Sequence, residues 1–335
     1  MKRICFYDTK SYDREYFDKF IDDYDFEVDY YETKLTPRTA VLARDHDAVV
    51  AFVNDNLSKN TIDRLYDNGI RVVAMRCAGY NNIDLEAAKD KIKIVRVPDY
   101  SPYAVAEHAI SLVLSLNRKI HRAYIRTRDF NFSLNSFVGF DMKGKTVGVI
   151  GTGKIGRIFI NICKGFGMKI CAYDPYPIDD PDIQYMSLEE LCKVSDIISL
   201  HCPLTKGTHY IINEKTISLM KKSAIIVNTS RGALIDSDAL LDALLNEKIS
   251  GACLDVYEEE TDFFYEDMSN EIPKDDTLAR LIYMPNVIVT SHQAFLTHEA
   301  LTNIAETTCD NLRDFFDGKE LKNEVFSNNL SNSVK

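Results

Sequence analysis

Short apolar segments alternate with amphipathic segments along most of the chain. The apolar runs predict strands, and they form two series: Ile4–Tyr7, Ala48–Val53, Val72–Met75 and Ile92–Val97, then Thr146–Ile150, Lys169–Tyr173, Asp196–Leu200, Ala224–Asn228, Gly251–Val256 and Val287–Thr290. Helical patterns separate most of them, for example Thr61–Asn68, Leu85–Lys91, Ile155–Phe166, Leu188–Val194 and Ser237–Asn246. Such alternation is typical of parallel sheets with helices on both faces. We therefore predict an α/β fold with two doubly wound parallel-sheet domains.

Two longer helical patterns connect the series. Pro102–Lys119 begins at a proline suited to a first helical turn, and Thr297–Phe316 is amphipathic. We expect the second of these helices to pack on the first series. The domains then comprise residues 1–100 with 298–335, and residues 101–297. Pro102–Lys119 is apolar beyond a single stripe, which also makes it a candidate dimer surface.

Composition narrows the class of protein. The 335 residues suit two domains, and 45% hydrophobic with 27% charged residues is normal for a globular chain. A net charge of −11 argues against nonspecific binding to nucleic acid. We find no apolar run long enough for a membrane span and no signal peptide. The eight cysteines form no Cys-x-x-Cys pair, which indicates reduced thiols in a cytoplasmic protein and no metal site.

A glycine-rich motif follows the strand Thr146–Ile150. It reads Gly151-Thr-Gly-Lys-Ile-Gly156, leads into a helical pattern, and is followed by a second strand that ends before Asp174. This context is the fingerprint of a dinucleotide-binding turn, in which the helix start favours the pyrophosphate and the acidic residue accepts hydrogen bonds from the ribose. The expected cofactor contacts here are Gly151, Gly153, Lys154, Ile155, Gly156 and Asp174. We predict that the cofactor is NAD.

Further motifs follow the later strands. They are Val227-Asn-Thr-Ser-Arg-Gly232, Leu254-Asp-Val-Tyr-Glu-Glu-Glu260 and Pro285-Asn-Val-Ile-Val-Thr-Ser-His292, with Tyr100-Ser-Pro-Tyr-Ala-Val-Ala-Glu-His108 upstream. With these motifs the chain resembles the D-2-hydroxyacid dehydrogenases over nearly its whole length. The stretch from Asp255 to Leu301 resembles the fermentative NAD-dependent D-lactate dehydrogenases. The resemblance implies a Rossmann-type cofactor domain inserted into a flavodoxin-like substrate domain.

The resemblance also implies NADH-dependent, reversible reduction of pyruvate to D-lactate by a triad of Arg231, Glu260 and His292. The chemistry of these side chains agrees. An arginine matches a carboxylate in two-point contact, and a histidine exchanges protons near neutral pH. A glutamate can orient the imidazole and favour its charged form. Chemistry alone does not choose Glu260 over its neighbours Glu258 and Glu259; the motif does.

Other contacts are implied by the resemblance alone. The substrate-binding residues would be Cys77, Ala78, Gly79, Tyr100 and Phe295. The remaining cofactor contacts would be Tyr173, His201, Cys202, Pro203, Thr229, Ser230 and Asp255. Thr229 would lie near the nicotinamide ribose and Asp255 at the carboxamide. A purely structural role suits His201 equally well, and we interpret His108, in an apolar helix, as structural.

Two alternatives remain open from the sequence. One is a reductase of another small 2-oxoacid, such as glyoxylate, hydroxypyruvate or phenylpyruvate, since only the pocket would differ. The other is a non-catalytic NAD(H)-sensing protein on the same fold, since such proteins can keep the triad. The family further implies a homodimer or homotetramer, with pyruvate or D-lactate as the small-molecule partner and no nucleic-acid or membrane partner.

Overall fold

A computed structural model describes residues 1–258, 264–272 and 274–326 of the chain. These described residues divide into two compact units, one formed by residues 1–101 with 295–326 and the other by the described part of 102–294. The expected boundary after residue 100 lies one residue before the observed one, and the expected boundary after residue 297 lies three residues beyond it.

The described residues contain strands and helices in the following order. The strands are β1 (Lys2–Phe6), β2 (Phe26–Tyr30), β3 (Ala48–Ala51), β4 (Val72–Met75), β5 (Lys93–Arg96), β6 (Thr146–Ile150), β7 (Lys169–Tyr173), β8 (Gln184–Tyr185), β9 (Ile197–Leu200), β10 (Ile225–Asn228), β11 (Gly251–Leu254) and β12 (Val287–Val289). The helices are α1 (Ser11–Phe17), α2 (Lys59–Asp67), α3 (Leu85–Ala88), α4 (Pro102–Arg118), α5 (Ile120–Arg128), α6 (Lys154–Gly165), α7 (Leu188–Val194), α8 (Glu214–Ser218), α9 (Ser237–Leu245), α10 (Asp276–Tyr283) and α11 (His298–Phe316). Short 3-10 turns lie at Ile21–Tyr24, Thr39–Ala43 and Gly232–Leu234.

The first unit is built on a five-stranded parallel sheet. Its strand order is β2-β1-β3-β4-β5, the order of a flavodoxin-like sheet. Strands β3 and β4 are buried along their whole length, as expected for strands covered on both faces. Helix α11 returns to this unit and contacts β4, β5 and α1, as its amphipathic pattern predicted. Helix α3 ends three residues before the expected Lys91, because Lys89 is extended and Asp90 is left-handed.

The second unit is built on a seven-stranded parallel sheet. From one edge the order is β8-β7-β6-β9-β10-β11-β12, so the chain reverses direction across the sheet at β6. This is the Rossmann order with one further strand, and ligands of such sheets bind beyond the carboxyl ends of the strands at the reversal. Helices cover both faces of this sheet, and a separate cluster of buried apolar side chains lies on each face. The predicted α/β class with two doubly wound parallel sheets is confirmed.

Helix α4 is covered within the second unit. Its apolar residues, including Ala106, Ala109 and Val113, are buried in a cluster with α6 and the sheet. The expectation that this helix presents the dimer surface is therefore wrong for its apolar side. Helix α5, by contrast, has no buried residue. The large exposed apolar side chains from α5 to Val138, which we call the apolar segment, are Ile120, Tyr124, Ile125, Phe130, Phe132, Leu134 and Val138.

Two properties of the described residues bear on whether the protein contacts a membrane or a metal ion. No helix among them has both the length and the apolar character that a membrane crossing requires. No cluster of His, Cys, Asp or Glu side chains suited to holding a metal ion occurs in that part of the chain. All eight cysteines are buried free thiols, and burial raises the pKa of Cys163 and of Cys192 to about 12.

Candidate active site

The glycine-rich turn connects β6 to α6 in the second unit. Gly151 has a φ of +96°, and a Cβ there would lie 2.7 Å from the backbone of His201 and Cys202. A Cβ on Gly156 would lie 2.1 Å from the carbonyl oxygen of Gly151, so only glycine lets the helix approach the turn this closely. A Cβ on Gly153 meets no atom within 4 Å. The turn is therefore tight at its two ends and open at its middle glycine, where the pyrophosphate is expected.

Helix α6 begins without a side-chain cap. Gly153 occupies the cap position and provides no side chain, and Lys154 and Ile155 form the first turn. The first N–H groups of a helix have no partner within the helix, and the helix dipole is positive at this end. An anion bound here would satisfy both. The arrangement fits the phosphates of a dinucleotide.

Asp174 is fixed against the glycine-rich turn. One oxygen of its carboxylate accepts hydrogen bonds from the N–H of Thr152 at 2.6 Å and from its hydroxyl at 3.0 Å. The other oxygen accepts from the N–H of Tyr176 at 2.8 Å. Each carboxylate oxygen has further acceptor capacity. The acidic residue expected to hold the ribose is thus held in place at the end of β7, beside half-buried Tyr173.

The segment after β9 carries His201, Cys202 and Pro203. The His201 Nε2 atom is 2.8 Å from the Ser199 hydroxyl, and its ring lies 4.9 Å from that of Phe159. Burial lowers the pKa of His201 to about 3, so the imidazole is neutral. Cys202 is buried and Pro203 is exposed. The Ser199 contact suits a structural His201, but its buried Nδ1 has no hydrogen-bond partner among the described residues, so both interpretations of His201 stay open, and exposed Pro203 is accessible to a ligand.

Arg231 follows β10 in a loop that the Asn228 side chain organises. Asn228 accepts a hydrogen bond from the N–H of Ser230 at 3.1 Å and donates one to the carbonyl of Arg231 at 2.9 Å. The half-buried Arg231 guanidinium donates to the Ser230 carbonyl at 2.7 Å, and its other N–H groups have no partner within the described residues. Those free donors can bind a carboxylate. The neighbouring Thr229 hydroxyl is buried with no partner in the same part of the chain.

Asp255, at the end of β11, organises the segment that carries His292. Its buried carboxylate accepts hydrogen bonds from the Thr290 hydroxyl at 2.5 Å and from the N–H groups of Gln293 and Ala294 at 2.9 Å. His108 lies 3.3 Å from the same carboxylate and 3.1 Å from the Thr290 hydroxyl. Burial opposes ionisation, but the contacts with His108 and Thr290 hold the pKa of Asp255 below its ordinary value. The structure thus gives Asp255 a supporting role beyond its expected contact with the carboxamide.

His292 lies in an unusual backbone conformation. Its φ is +52°, in the left-handed region. Its N–H donates to the carbonyl of Asp255 at 2.7 Å, and its carbonyl accepts a hydrogen bond from the Tyr265 hydroxyl at 3.0 Å. The half-buried imidazole ring lies 6.0 Å from the ring of Tyr265. The fold therefore holds the candidate acid and base from both sides of its backbone.

Glu260, the third expected member of the triad, lies outside the described residues, as does Glu259. Glu258 is described, and its carboxylate accepts a hydrogen bond from the Tyr210 hydroxyl. That hydrogen bond, aided by burial, raises the pKa of Tyr210 to about 12. Because Glu258 is already engaged by Tyr210, it is a poor competitor for the role assigned to Glu260.

In the first unit, the loop after β4 presents backbone donors. The carbonyl of Cys77 accepts from the N–H of Val97 at 3.1 Å, and that of Ala78 accepts from the Arg96 guanidinium at 2.6 Å. The Cys77 thiol donates to the carbonyl of Gly79 at 3.3 Å. The N–H groups of Ala78 and Gly79 make no hydrogen bond within the part of the chain that the structure describes. With every carbonyl of the loop held, these two donors suit an anion.

Two aromatic side chains expected to touch substrate pack together in the first unit. The rings of Tyr100 and Phe295 lie 6.2 Å apart at 70°, an edge-to-face arrangement. The Asn303 amide fixes the Tyr100 backbone by donating to its carbonyl at 2.6 Å. Phe295 is buried and Tyr100 is half-buried. The structure therefore places these two expected substrate contacts side by side in this unit.

Comparison with known proteins places this geometry in a family. Residues 110–294 match the description "D-isomer specific 2-hydroxyacid dehydrogenase, NAD binding domain". The chain is 49% identical over 327 residues to the D-lactate dehydrogenase of Escherichia coli (strain K12), covering 96% of this chain and 99% of that protein. It belongs to the D-2-hydroxyacid dehydrogenase family. The dehydrogenase is therefore an NAD-dependent oxidoreductase of D-2-hydroxyacids, as the motifs predicted.

Solved structures agree with this assignment. The apo-structure of D-lactate dehydrogenase from Escherichia coli matches with a TM-score of 0.88 and 47% identity, covering 96% of this dehydrogenase and 99% of that chain. A structure described as the pyruvate reductase of Chlamydomonas reinhardtii matches with a TM-score of 0.92 and 42% identity, covering 96% and 98%. NAD fits the open turn at Gly153 and the fixed carboxylate of Asp174. When bound, its nicotinamide ring supplies or accepts the hydride.

Sequence reasoning missed three residues that support the site of this dehydrogenase. They are Tyr265, which bonds the His292 backbone; Arg96, which bonds the carbonyl of Ala78; and His108, interpreted only as structural, which contacts Asp255. None belongs to a linear motif with its partner. Only the folded chain brings each pair together.

Proposed function

We propose that this dehydrogenase reduces pyruvate to D-lactate with NADH, reversibly, in the cytoplasm. The observation that carries the proposal is its 49% identity, over 96% of its length, with a protein named D-lactate dehydrogenase. The eight buried free thiols support a reducing compartment.

Arg231 is proposed to bind the substrate carboxylate. Its guanidinium is half-buried and spends one donor on the Ser230 carbonyl, which fixes its plane. The remaining donors can form a two-point contact with a carboxylate. That contact orients the substrate so that one face of its carbonyl meets the hydride, which is how the enzyme would select the D product.

His292 is proposed to give a proton to the carbonyl oxygen in reduction and to take one in oxidation. Reduction requires the charged imidazole before the hydride arrives. Glu260 would stabilise that charged form as a hydrogen-bonded carboxylate partner. The triad of Arg231, Glu260 and His292 thus divides binding, proton transfer and control of charge.

Within the first unit, the proposed substrate contacts are the loop Cys77–Gly79 and the aromatic pair of Tyr100 and Phe295. The N–H groups of Ala78 and Gly79, which make no hydrogen bond among the described residues, are suited to a carboxylate oxygen. The Tyr100 hydroxyl would add a further donor to that carboxylate. Phe295 offers an apolar surface for a methyl group, which supports a small substrate such as pyruvate.

The cofactor contacts proposed for the second unit follow from its geometry. The glycine-rich turn and the start of α6 would hold the pyrophosphate, and Asp174 the adenosine ribose, with Tyr173 and Pro203 beside the adenosine. Thr229, with its buried unpartnered hydroxyl, and Ser230 would lie near the nicotinamide ribose. Asp255 would face the carboxamide while it supports the segment from Thr290 to Ala294.

The apolar segment is proposed to form the contact in a homodimer or homotetramer. Contiguous exposed apolar surface of this kind is typical of an interface rather than of a free surface. Sedimentation velocity tests the proposal with the double variant Phe132→Glu, Leu134→Glu. Tyr283→Glu is the matched control, because Tyr283 is fully exposed in the same unit outside the segment. We expect the double variant to dissociate and the control to stay assembled; a monomeric wild type contradicts the proposal.

A panel of 2-oxoacids tests the substrate. We expect kcat/KM with NADH to be highest for pyruvate among pyruvate, glyoxylate, hydroxypyruvate, phenylpyruvate and a branched 2-oxoacid. A higher value for another acid would replace pyruvate and leave the chemistry unchanged. Binding of NADH without turnover of any of them would favour the non-catalytic sensor.

A further inference from the structure

The backbone around His292 contains two left-handed residues that meet. His292 has a φ of +52° and Tyr265 a φ of +70°. Left-handed backbone is uncommon for residues other than glycine, and for a bulky residue such as tyrosine it is an outlier. Such conformations persist only where the surrounding contacts hold them, and they cluster at functional sites. The pair therefore requires an explanation in terms of what it positions.

Asp255 restrains only part of the His292 backbone. The carbonyl of Asp255 accepts the His292 N–H at 2.7 Å, and its carboxylate accepts the N–H groups of Gln293 and Ala294. These contacts hold the N–H groups of His292 and of the two residues that follow it. The Gln293 N–H belongs to the same peptide group as the His292 carbonyl, so Asp255 holds that peptide from its nitrogen side and leaves the carbonyl oxygen for a second contact.

Tyr265 provides that remaining contact. Its hydroxyl donates to the His292 carbonyl at 3.0 Å, and the two rings lie 6.0 Å apart with their planes inclined by 32°. The two residues are 27 positions apart, so the contact joins separate segments of the second unit. Because the direction of a side chain follows the backbone angles of its own residue, a fixed peptide plane also fixes where the imidazole points.

We propose that Tyr265 is a positioning residue that holds His292 in its left-handed conformation and so aims the imidazole at the substrate. The inference rests on the proposed function, since it takes His292 as the acid and base. Without the hydroxyl, that peptide keeps its contact with Asp255 through the Gln293 N–H but loses the one on its carbonyl oxygen, so the backbone of His292 is less restrained. A smaller fraction of molecules would then present the imidazole in the reactive direction.

The variant Tyr265→Phe removes only the hydroxyl. The matched control is Tyr7→Phe, because the hydroxyl of the buried Tyr7, in the first unit, also donates to a backbone carbonyl, that of Thr39, at 2.9 Å. Both variants lose one hydroxyl-to-carbonyl hydrogen bond, so both are expected to melt at a somewhat lower temperature. Only Tyr265→Phe should affect His292.

Two measurements separate positioning from a general loss of stability. The first is kcat/KM for the preferred 2-oxoacid, with the primary isotope effect on kcat using NADH deuterated at the transferred position. We expect Tyr265→Phe to lower kcat/KM by about 3–10-fold and to raise the isotope effect, because a misaimed acid slows the chemical step. Tyr7→Phe should keep kcat/KM within about twofold of the wild type.

The second measurement is amide hydrogen exchange at residues 291–294, which does not depend on catalysis. We expect exchange there to be faster in Tyr265→Phe than in the wild type or in Tyr7→Phe. Unchanged exchange, or kinetics equal to those of Tyr7→Phe, would overturn the role of Tyr265. If exchange increases but the wild type reduces no 2-oxoacid, the proposed function has failed while the structural role of Tyr265 stands.

Discussion

The absence of a Cβ at Gly232 lets the Arg231 loop approach the segment after β11 closely, and the variant Gly232→Ala tests whether that close approach sets activity. An added Cβ would lie 2.0 Å from both the carbonyl carbon and the carbonyl oxygen of Tyr257, and 2.4 Å from the nitrogen of Glu258. Ordinary contacts between such atoms are about 3.5–4 Å, so the two segments would have to separate by more than about 1 Å. All three atoms belong to the backbone, so no change of rotamer relieves the clash.

The expected loss follows from that displacement. Forced overpacking costs about 1–3 kcal/mol of stability, and a misplacement of about 1 Å in an active site costs about 100-fold in rate. We therefore expect Gly232→Ala to lower the melting temperature and to reduce kcat/KM for pyruvate about 100-fold. Gly207→Ala is the control, because its Cβ would meet only the Thr205 hydroxyl, at 3.8 Å. A Gly232→Ala enzyme within about threefold of the wild type would refute the reasoning.

Four further outcomes are expected. NADH should be strongly preferred to NADPH in kcat/KM, because the fixed carboxylate of Asp174 would repel a 2′-phosphate; comparable values with both cofactors would contradict this. Arg231→Lys should lower kcat/KM for pyruvate at least about tenfold, because lysine keeps the charge but loses the planar guanidinium that binds a carboxylate at two points. Unchanged kinetics would mean that the substrate carboxylate binds at another residue. In profiles of kcat/KM against pH, Glu260→Gln should move the alkaline limb to lower pH because the imidazole loses its charged partner. His292→Ala should instead lower kcat/KM by about 10²–10⁴-fold at every pH. An alkaline limb that does not move in Glu260→Gln would mean that His292 has another partner. Burial lowers the pKa of His201 from 6.5 to about 3. Between these two pH values the unfolded chain binds a proton at His201 that the folded chain does not, so His201 should make the free energy of unfolding rise with pH there. His201→Gln should flatten this slope in urea unfolding at pH 4.5, 5.5 and 7, and an equal slope in both proteins would show that His201 is not its source.

The interior strands could be predicted from the sequence because both of their faces are buried. Strands β4, β6 and β7 have the predicted bounds, and β4 is apolar at every position. Strand β2 was not predicted because it lies at the sheet edge, where Glu27 and Asp29 interrupt the apolar pattern. Strand β8 is also an edge strand and has only two residues, too few for a period to show.

The residues of the candidate site also differ in how far the sequence alone could predict them. Residues in linear motifs, such as Gly151, Asp174 and Arg231, could be proposed from the sequence because each motif is recognisable from residues that are neighbours along the chain. The hydroxyl of Tyr265 could not be assigned, since its meaning depends on the His292 carbonyl 27 positions away. The contact of His108 with Thr290 spans 182 positions and requires α4 to lie beside the end of β12. The surface role expected of α4 failed for a related reason, because its second apolar side is buried by packing that periodicity does not specify.

The central claim is that this dehydrogenase transfers a hydride to one face of pyruvate. The most direct test is NADH oxidation in the presence of pyruvate, followed by the loss of NADH absorbance and completed by chiral chromatography of the product. The account predicts that NADH is consumed, that the rate depends on pyruvate, and that the product is D-lactate. Formation of L-lactate or of a racemate, or no consumption of NADH with pyruvate, would contradict it.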